Sequence, residues 1–493
     1  MAGGDDSPFS DSPSRPGQFS TGKEPLRGLV LTADVGSTFT KLTAVDLGNL
    51  EIIGRSRAFT TIETNVMEGF QAAEAEIEAQ CGRLDYAARL ASSSAAGGLK
   101  MVAIGLVPDL TAQAARLAAA NAGAKVLKTY AYQLSREEIR EIVEMKPDML
   151  LLCGGLDGGN IEVITHNARR LAESTLNCPI VAAGNKSVVD DLSDILDKYP
   201  GEVIFKPNVM PAIDSLNIEP AQGAIRDLFI RNIISAKGLD ELQNRLSAEI
   251  IPTPLAVLKA TALLSRGLDG RPGLGDLMVF DVGGATTDVY SLAEGLPTKS
   301  RACLRGFREP WAKRTVEGDL GLRYSLPSLI EAAGAEDIAR HLSIDPAEVP
   351  AWAERCGRHL DLLPEEVSLG RRIDQQLAAE AVRISMARHC GRLETVYTIE
   401  GPSFVQTGKD LSEARFVIGT GGPIINSLDP AQTLKGALRG PEDIDLLKPM
   451  APRLLVDRKY ILSAMGLLSQ LAPEAALKIM MKELPTGEVD LAD

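Results

Sequence analysis

Apolar residues in this chain fall in short blocks that end in glycine and hydroxyl residues, and two of these blocks are alike. Leu29 to Ala33 forms one block, and Leu277 to Phe280 forms the other. Each block leads into Asp-Val-Gly, then into small and hydroxyl residues, and then into a second apolar block. Short apolar runs bounded by turn residues are typical of buried strands. The pattern therefore predicts two β-hairpins of the same design.

The two hairpins align residue by residue. Placing Asp34 on Asp281 superimposes the Val-Gly that follows each aspartate and places Lys41 on Asp288. In the first half a further strand is predicted over residues 51–57. A single Asp-x-Gly would predict only a tight turn, whereas a repeat in the same order indicates two related lobes. The exchange of Lys41 for Asp288 makes the two hairpins chemically unequal.

The tips of these hairpins carry residue types that bind phosphate and Mg²⁺. Glycine lets the main chain approach a ligand, and successive backbone N–H groups of such a turn can cradle phosphate oxygens. Because Mg²⁺ keeps several waters and takes few carboxylates, Asp34 and Asp281 are expected to hold it. Asp34, Asp281 and Asp288 are candidates to orient the metal and the attacking water, with the choice of general base left open. The residues expected to bind phosphate are Gly36, Ser37, Thr38, Lys41, Gly283, Gly284 and Thr286.

At these hairpins the chain resembles the superfamily of actin, sugar kinases and the seventy-kilodalton heat-shock chaperones. In that superfamily the hairpins are the phosphate motifs, and a lysine placed like Lys41 contacts phosphate. The resemblance implies an adenosine motif, in which a strand enters a glycine turn, and residues 416–423 fit it. Its Gly419, Gly421 and Gly422 are expected to lie against adenine and ribose. Residues 107–127 resemble the strand and helix that complete the first lobe of the chaperones.

Within this superfamily the chain is identified as a member of the MutL/GlmL family, which is associated with glutamate mutase. The resemblance implies an α/β fold with duplicated actin-like (ribonuclease H-like) lobes around a nucleotide cleft. It also implies ATP and Mg²⁺ as cofactors. The stretches that carry it are residues 33–41, 92–99, 152–155, 280–289 and 313–321.

The function that the resemblance implies is that of an ATP-dependent, chaperone-like factor. Such a factor would reactivate an adenosylcobalamin-dependent mutase or aminomutase by expelling damaged cobalamin. The same fold leaves other functions open: a kinase of a small metabolite, or a nucleotide-dependent scaffold without catalysis. Residues 281–289 also resemble the hydantoinase/oxoprolinase family, so an amidohydrolase is a further alternative.

Between the hairpins, short apolar blocks alternate with amphipathic segments. Strands are predicted over 149–153, 179–183 and 203–205, with helices between them, which indicates a parallel α/β unit. Either this unit elaborates the first lobe, or it docks a partner enzyme. The glycine-rich stretch that begins at Gly154 lacks the dinucleotide fingerprint, and the Asp-x-His-x-x-Gly signature of corrinoid ligation is absent from the sequence.

These elements divide the chain into four parts. Residues 1–26 are expected to be a disordered tail, 27–134 the first lobe, 135–275 the inserted α/β region with a linker, and 276–480 the second lobe with a helical subdomain. The charged run 311–323 predicts a solvated face, although its position soon after the second hairpin leaves a role in a hinge or cleft open. Near the end of the chain, Ala464 and Gly466 would let one helix approach another closely.

Charge and composition exclude some partners. The net charge of −14 over 493 residues argues against broad electrostatic binding of nucleic acid or of an anionic membrane surface. The apolar stretches have the length of strands, which is too short to span a bilayer. The six cysteines are scattered without a C-x-x-C pair, which favours buried thiols in a reducing, cytoplasmic setting.

Overall fold

The structure is a computed structural model of the chain. It describes residues 26–490 except 37, 62–63, 95–98, 123, 214, 235–237, 269, 360–361, 363, 366–367 and 400. The tail expected over residues 1–26 therefore lies outside the described residues, apart from its last member. Ser37, one of the expected phosphate ligands, also lies outside them.

The first hairpin forms the centre of a five-stranded sheet. Its strands are β1 (Leu29–Val35), β2 (Phe39–Asp46), β3 (Glu51–Phe59), β4 (Tyr86–Ser93) and β10 (Ile251–Pro252). They lie in the order β10-β4-β1-β2-β3. β1, β2 and β3 run antiparallel in turn, whereas β4 and β10 are parallel to β1. Helix α1 (Val66–Cys81) covers one face.

The second hairpin forms the centre of a sheet with the same design. Its strands are β13 (Leu277–Val282), β14 (Thr287–Leu292), β16 (Ala312–Glu317), β19 (Phe416–Thr420), β20 (Arg453–Val456) and β21 (Glu488–Val489). The order is β16-β14-β13-β19-β20-β21, with the same strand directions as the first sheet up to β20. Two sheets with one strand order confirm the duplicated actin-like (ribonuclease H-like) lobes.

Two helices that leave equivalent strands join the lobes. α8 (Thr253–Arg266) follows β10, and α15 (Leu462–Leu468) follows β20. They pack together in a core that draws apolar side chains from both sheets and from α16 (Pro473–Glu483). A Cβ on Gly466 would lie 1.7 Å from the Ala256 carbonyl oxygen. The close approach predicted for this glycine is confirmed.

The inserted region is a parallel sheet, as the alternating pattern predicts. Its strands are β5 (Lys100–Gly105), β6 (Lys125–Ala131), β7 (Met149–Leu152), β8 (Ile180–Ala182) and β9 (Val203–Phe205), in the order β6-β5-β7-β8-β9. Its helices are α2 (Gln113–Asn121), α3 (Arg136–Met145), α4 (Glu162–Ala172) and α5 (Val189–Leu196). Ser135 and Glu138 form the capping box at the start of α3.

The start of this region differs from the expectation. β5 pairs with both β6 and β7, so the end of the segment 107–127 belongs to the parallel sheet, whereas its helix α2 packs in the same apolar core as β1 and α1. A division at residue 134 would cut through this sheet. β4 and the distant β10 complete the first sheet instead. Strand pairing over such a sequence distance leaves no local signal.

The remaining elements elaborate the second lobe and the connections. The helical subdomain contains α9 (Leu326–Ala333), α10 (Ala335–Leu342) and α11 (Glu348–Arg358), packed against α12 (Leu369–His389). A small sheet holds β15 (Ala302–Arg305), β17 (Arg392–Thr398) and β18 (Gly401–Thr407). The connecting elements are α6 (Glu219–Ile234), α7 (Leu239–Gln243), β11 (Gly267–Leu268), β12 (Arg271–Pro272), α13 (Gly422–Ile425) and α14 (Pro430–Leu434).

Two further sequence expectations concern burial. Cys153, Cys356 and Cys390 are buried, whereas Cys303 is exposed, so the thiols are not uniformly buried. In the part of the chain that the structure describes, no helix combines the length and apolarity that crossing a membrane requires.

Candidate functional site

The two hairpin tips are built alike. Asp34 pairs with Lys41 across the first hairpin, and Asp281 pairs with Asp288 across the second. At the first tip the N–H two residues after Asp34 donates to the carbonyl of Phe39 over 3.0 Å, and at the second tip the equivalent N–H donates over 2.9 Å. The first glycine of each tip leaves room for this contact: a Cβ on Gly36 would lie 2.8 Å from the carbonyl oxygen, too close to be accommodated without movement, and one on Gly283 would lie at a tight 3.2 Å.

Asp34 is held by hydroxyl groups from two other elements. Its Oδ1 accepts hydrogen bonds from Ser92 Oγ, at the end of β4, over 3.1 Å and from Thr253 Oγ1, at the start of α8, over 2.6 Å. Only 6% of Asp34 is exposed. One carboxylate oxygen is thereby fixed by the protein, while Oδ2 accepts no hydrogen bond from a described residue.

Lys41 lies in the cleft between the lobes. Its Nζ is 3.2 Å from the ring centroid of Tyr460, a residue of the second lobe. Burial lowers the pKa of Lys41, against the opposing effect of Asp34, Asp281 and Asp457 nearby. Among described residues the ammonium donates no hydrogen bond and forms no ion pair. A half-buried cation without a direct anionic partner is able to receive an anionic ligand.

Asp281, from the second hairpin, lies near enough to Lys41 for their charges to act on each other. Burial, followed by the neighbouring charge of Asp288, raises its pKa to about 7, and Asp34 and Asp457 act in the same direction. Its carboxylate accepts no hydrogen bond from any residue within the described ranges. Several carboxylates gathered with too few donors favour the binding of a cation.

Asp288 has a different environment from the other two aspartates. Its Oδ1 accepts from Arg314 Nε over 2.7 Å, and Arg314 Nη2 lies 2.6 Å from the same oxygen. Both side chains are buried. The structure thus gives Asp288 a protein partner, so it differs from the free carboxylate that the sequence suggested.

The charged run 311–323 is not a solvated face. Its first part is strand β16, in which Lys313 and Arg314 are only 5% and 3% exposed. Its last part lies against the second tip, where Leu322 N donates to the Gly283 carbonyl over 3.1 Å. Arg323 N donates to the Gly284 carbonyl over 2.8 Å. The run therefore supports the second hairpin.

A family model described as MutL protein matches residues 30–484. The chain belongs to the MutL protein family. A relative in this family, Protein MutL of Clostridium tetanomorphum, is 46% identical over 457 residues, which are 92% of this chain and 98% of the relative.

Solved structures similar to this MutL-family chain include Plasmodium falciparum glycerol kinase with ADP and a glycerol dehydratase reactivase. The first is 11% identical, covers 92% of both chains and has a TM-score of 0.32. The second is 10% identical, covers 83% of this chain and 94% of its own, and has a TM-score of 0.31. The fold itself is established by the strand order of the two sheets.

The predicted adenosine motif of this MutL-family chain, residues 416–423, lies beside the second hairpin. Gly421 has a left-handed φ of 87°, and a Cβ there would lie 2.2 Å from the Val282 carbonyl oxygen. A Cβ on Gly419 would lie 2.7 Å from Ile424. Packing within the protein thus requires both glycines. At Gly422 the nearest atom outside its own helix backbone is Asn426 Nδ2, 4.0 Å from an ideal Cβ, so the space beside this glycine is open.

The hydroxyl residues of the tips are both partly buried. Thr286 Oγ1 donates to Asp288 Oδ2 over 3.3 Å, and the carbonyl of Thr38 accepts from Thr60 N over 2.9 Å. The Thr38 hydroxyl has no hydrogen bond to a described residue.

Sequence reasoning missed three residues of this site. Thr253 and Asp457 occupy equivalent positions, since each directly follows the fifth strand of its sheet and precedes or begins the segment that leads into a helix joining the lobes. Asp457 accepts from Ile461 N and Leu462 N over 2.9 and 3.1 Å. Tyr460 lies just beyond it. The signal that could have found Asp457 is its place in a short polar turn between a strand and a helix, where an acidic side chain can accept the unpaired N–H groups at the helix start.

Proposed function

We propose that this chain binds Mg-ATP between its lobes and hydrolyses it to change the angle between them. We further propose that this movement reactivates an adenosylcobalamin-dependent mutase or aminomutase. The support for the nucleotide comes from the cleft, and the support for the client comes from membership of the MutL family together with the resemblance to the glutamate mutase-associated proteins.

One observation carries the nucleotide proposal. Lys41 and Asp281 come from equivalent hairpins of different lobes, and each influences the pKa of the other. Neither has a hydrogen-bond or ion-pair partner among the described side chains. Both side chains are half-buried, and unpaired charges that are partly removed from water are costly in a protein unless a ligand satisfies them. A phosphate chain for Lys41 and a hydrated cation for Asp281 are together the chemistry of a metal nucleotide.

The residues present fit a magnesium ion. No group of three or more His, Cys, Asp or Glu that could enclose a metal occurs in the described part of the chain. Mg²⁺ bound to phosphates needs no such cage, because it retains several waters and uses one or two carboxylates. Asp34 and Asp281 would hold it through those waters. When bound, the ion would neutralise charge that develops on the phosphate during transfer.

The protein groups then have separate tasks. Ser92 and Thr253 orient the Asp34 carboxylate by donating to its Oδ1. Lys41 would pair with phosphate oxygens, and the glycine-lined N–H groups of both tips would surround them. Asp288 keeps its ion pair with Arg314 and so positions the second hairpin. Water would be oriented by the carboxylates of the cleft.

The first experiment measures Mg²⁺-dependent phosphate release from ATP, together with ATP binding by calorimetry. We expect binding by the intact protein, and a loss of Mg²⁺-dependent binding and turnover in Asp34→Asn and Asp281→Asn. Asp191→Asn, an exposed residue of α5, is the matched control and should behave as the parent protein. If the intact protein does not bind ATP, the proposal is wrong.

The second experiment tests the client. An adenosylcobalamin mutase from the same organism is inactivated by turnover and incubated with free cobalamin, Mg²⁺ and this chain. Recovery of mutase activity with ATP, but not with a non-hydrolysable analogue, supports the reactivating role. Phosphorylation of a small metabolite without any mutase recovery would instead support the kinase alternative.

A further inference from the structure

The contact between Lys41 and Tyr460 crosses the cleft. Lys41 belongs to β2 in the first lobe, and Tyr460 follows β20 in the second. The ammonium stands over the ring face at 3.2 Å from the centroid. A cation over an aromatic face is attracted by the negative potential of the ring, and more strongly so when both groups are shielded from water.

The position of the Tyr460 ring is fixed by the start of α15. Tyr460 has a left-handed φ of 51°, which a side chain other than glycine rarely adopts. Its N–H donates to the Asp457 carbonyl over 2.9 Å, and the Asp457 carboxylate caps the first N–H groups of the helix. A strained backbone that is held by its surroundings is a frequent mark of functional positions.

The same segment is attached to the first lobe at a second point. Arg55 Nη1, on β3, donates to the Lys459 carbonyl over 2.9 Å. Farther from the cleft, Lys482 on α16 bonds Glu51 over 2.9 Å. Of these three contacts between the lobes, only the one with Tyr460 uses a side chain that a phosphate would need.

The ring also explains why Lys41 is without an ion pair. Asp34 lies opposite Lys41 in the hairpin, and the charges of Asp281 and Asp457 also act on it. A direct salt bridge to any of them would have to be broken before phosphate could bind. The ring holds the ammonium by a weaker interaction, which leaves it within reach of the cleft.

We propose that Tyr460 is a positioning residue that sets the affinity of the cleft for phosphate and reports its occupation to α15. Before the ligand binds, the ring holds Lys41; a phosphate group draws the ammonium off the ring and removes a contact between the lobes. This proposal rests on the proposed nucleotide site. It assigns Tyr460 no chemical step in hydrolysis.

The test compares the dissociation constants of Mg-ATP by calorimetry. Tyr460→Leu removes the aromatic face, so we expect about tenfold tighter binding, the magnitude of a shielded cation–π contact. Tyr460→Phe keeps the face and should bind within threefold of the parent protein. In a Lys41→Met background, which should itself bind Mg-ATP more weakly, Tyr460→Leu should cause no further change in the dissociation constant, because the contact is already absent.

A second measurement does not depend on the stability of the leucine variant. Tyr460→Trp places a reporter at the ring position, and we expect its fluorescence to change on addition of Mg-ATP but not of Mg²⁺ alone. The change should disappear in Lys41→Met/Tyr460→Trp. Unchanged or weaker binding by folded Tyr460→Leu, together with a silent tryptophan, overturns the role of Tyr460 alone. Failure of the parent protein to bind Mg-ATP overturns this proposal and the proposed function together.

Discussion

Asp288 and Arg314 form a buried ion pair, 2.6 Å long, beside the tip of the second hairpin. The same guanidinium donates through Nη1 to the Ala120 carbonyl at the end of α2, and the Arg314 N–H donates to Asn121 Oδ1 over 3.0 Å. Arg314 therefore connects the cleft to the inserted parallel sheet. A change at the second tip has a direct physical route to that sheet through one side chain.

Replacing Arg314 by methionine should destabilise the protein strongly. The change leaves the Asp288 carboxylate buried without a partner and adjacent to Asp281, which costs about 3–5 kcal/mol for a broken buried pair. We expect a large fall in the midpoint of thermal unfolding, measured by calorimetry or circular dichroism. Asp288→Asn/Arg314→Met should regain part of the loss, since the unpaired charge is gone. Equal midpoints for the single and double variants would contradict the ion-pair explanation.

Replacing Asp281 by asparagine should stabilise the ligand-free protein at high pH. The folded state raises the pKa of Asp281 to about 7, so its carboxylate opposes folding fully above pH 7 and not at all below its ordinary pKa near 4. We expect a gain of up to about 4 kcal/mol at pH 8 that disappears towards pH 4. Thermal unfolding at several pH values measures it. A gain that is independent of pH would show that the charge is not its cause.

The hydroxyl of Thr253 should contribute to metal-nucleotide binding without touching the nucleotide. Thr253→Val removes the shorter of the two hydrogen bonds to Asp34, a charge-assisted bond worth about 1.5–3 kcal/mol. We expect Mg-ATP affinity to fall about tenfold or more, in addition to the loss of folding stability that removal of this buried bond causes. Thr261→Val is the matched control, because that buried hydroxyl of α8 bonds only carbonyls of its own helix. Equal effects of the two variants would exclude a role in orienting Asp34.

Gly466 should tolerate no side chain. The close contact between its α15 and the Ala256 carbonyl on α8 would have to open, so Gly466→Ala should destabilise the protein by about 1–3 kcal/mol, the cost of overpacking. Gly357→Ala, in the open space of α11, should be neutral or stabilising by up to about 1 kcal/mol, since alanine favours a helix over glycine. The difference between their unfolding midpoints is the measurement. A stable Gly466→Ala would mean that the lobes are not held together here.

The sequence was a good guide where a pattern is local. The two hairpins, the strands of the parallel sheet and the cap at Ser135 follow from apolar blocks, turn residues and capping pairs that lie within a few residues of one another. The alignment of Asp34 with Asp281 also predicts two related lobes, which the strand order of the two sheets confirms. The phosphate-binding and metal-binding roles of these residues stay predictions, which measurements of ATP and Mg²⁺ binding will test.

What the sequence could not show depends on distant pairing. The charges of Lys313 and Arg314 predict an exposed segment, but these residues of β16 are buried. Glu309 and Asp288 form ion pairs with these two residues inside the fold. β10 is two residues long, and it lies more than 150 residues along the sequence from the end of β4, the strand with which it pairs. No periodicity is readable in so short a strand. Tyr460 gives no signal either, because its importance comes from Lys41 in the other lobe.

Lys41 and Asp288 hold equivalent places in the two hairpins. A groove between two identical halves would accept an elongated molecule pointing in either direction with equal affinity. Here one half offers an unpaired cation, and the other offers an acid already neutralised by Arg314. Because the two halves differ in charge, a molecule with one anionic end would bind in the groove in only one orientation. Duplication supplied the two walls, and divergence at one pair of positions supplied the direction.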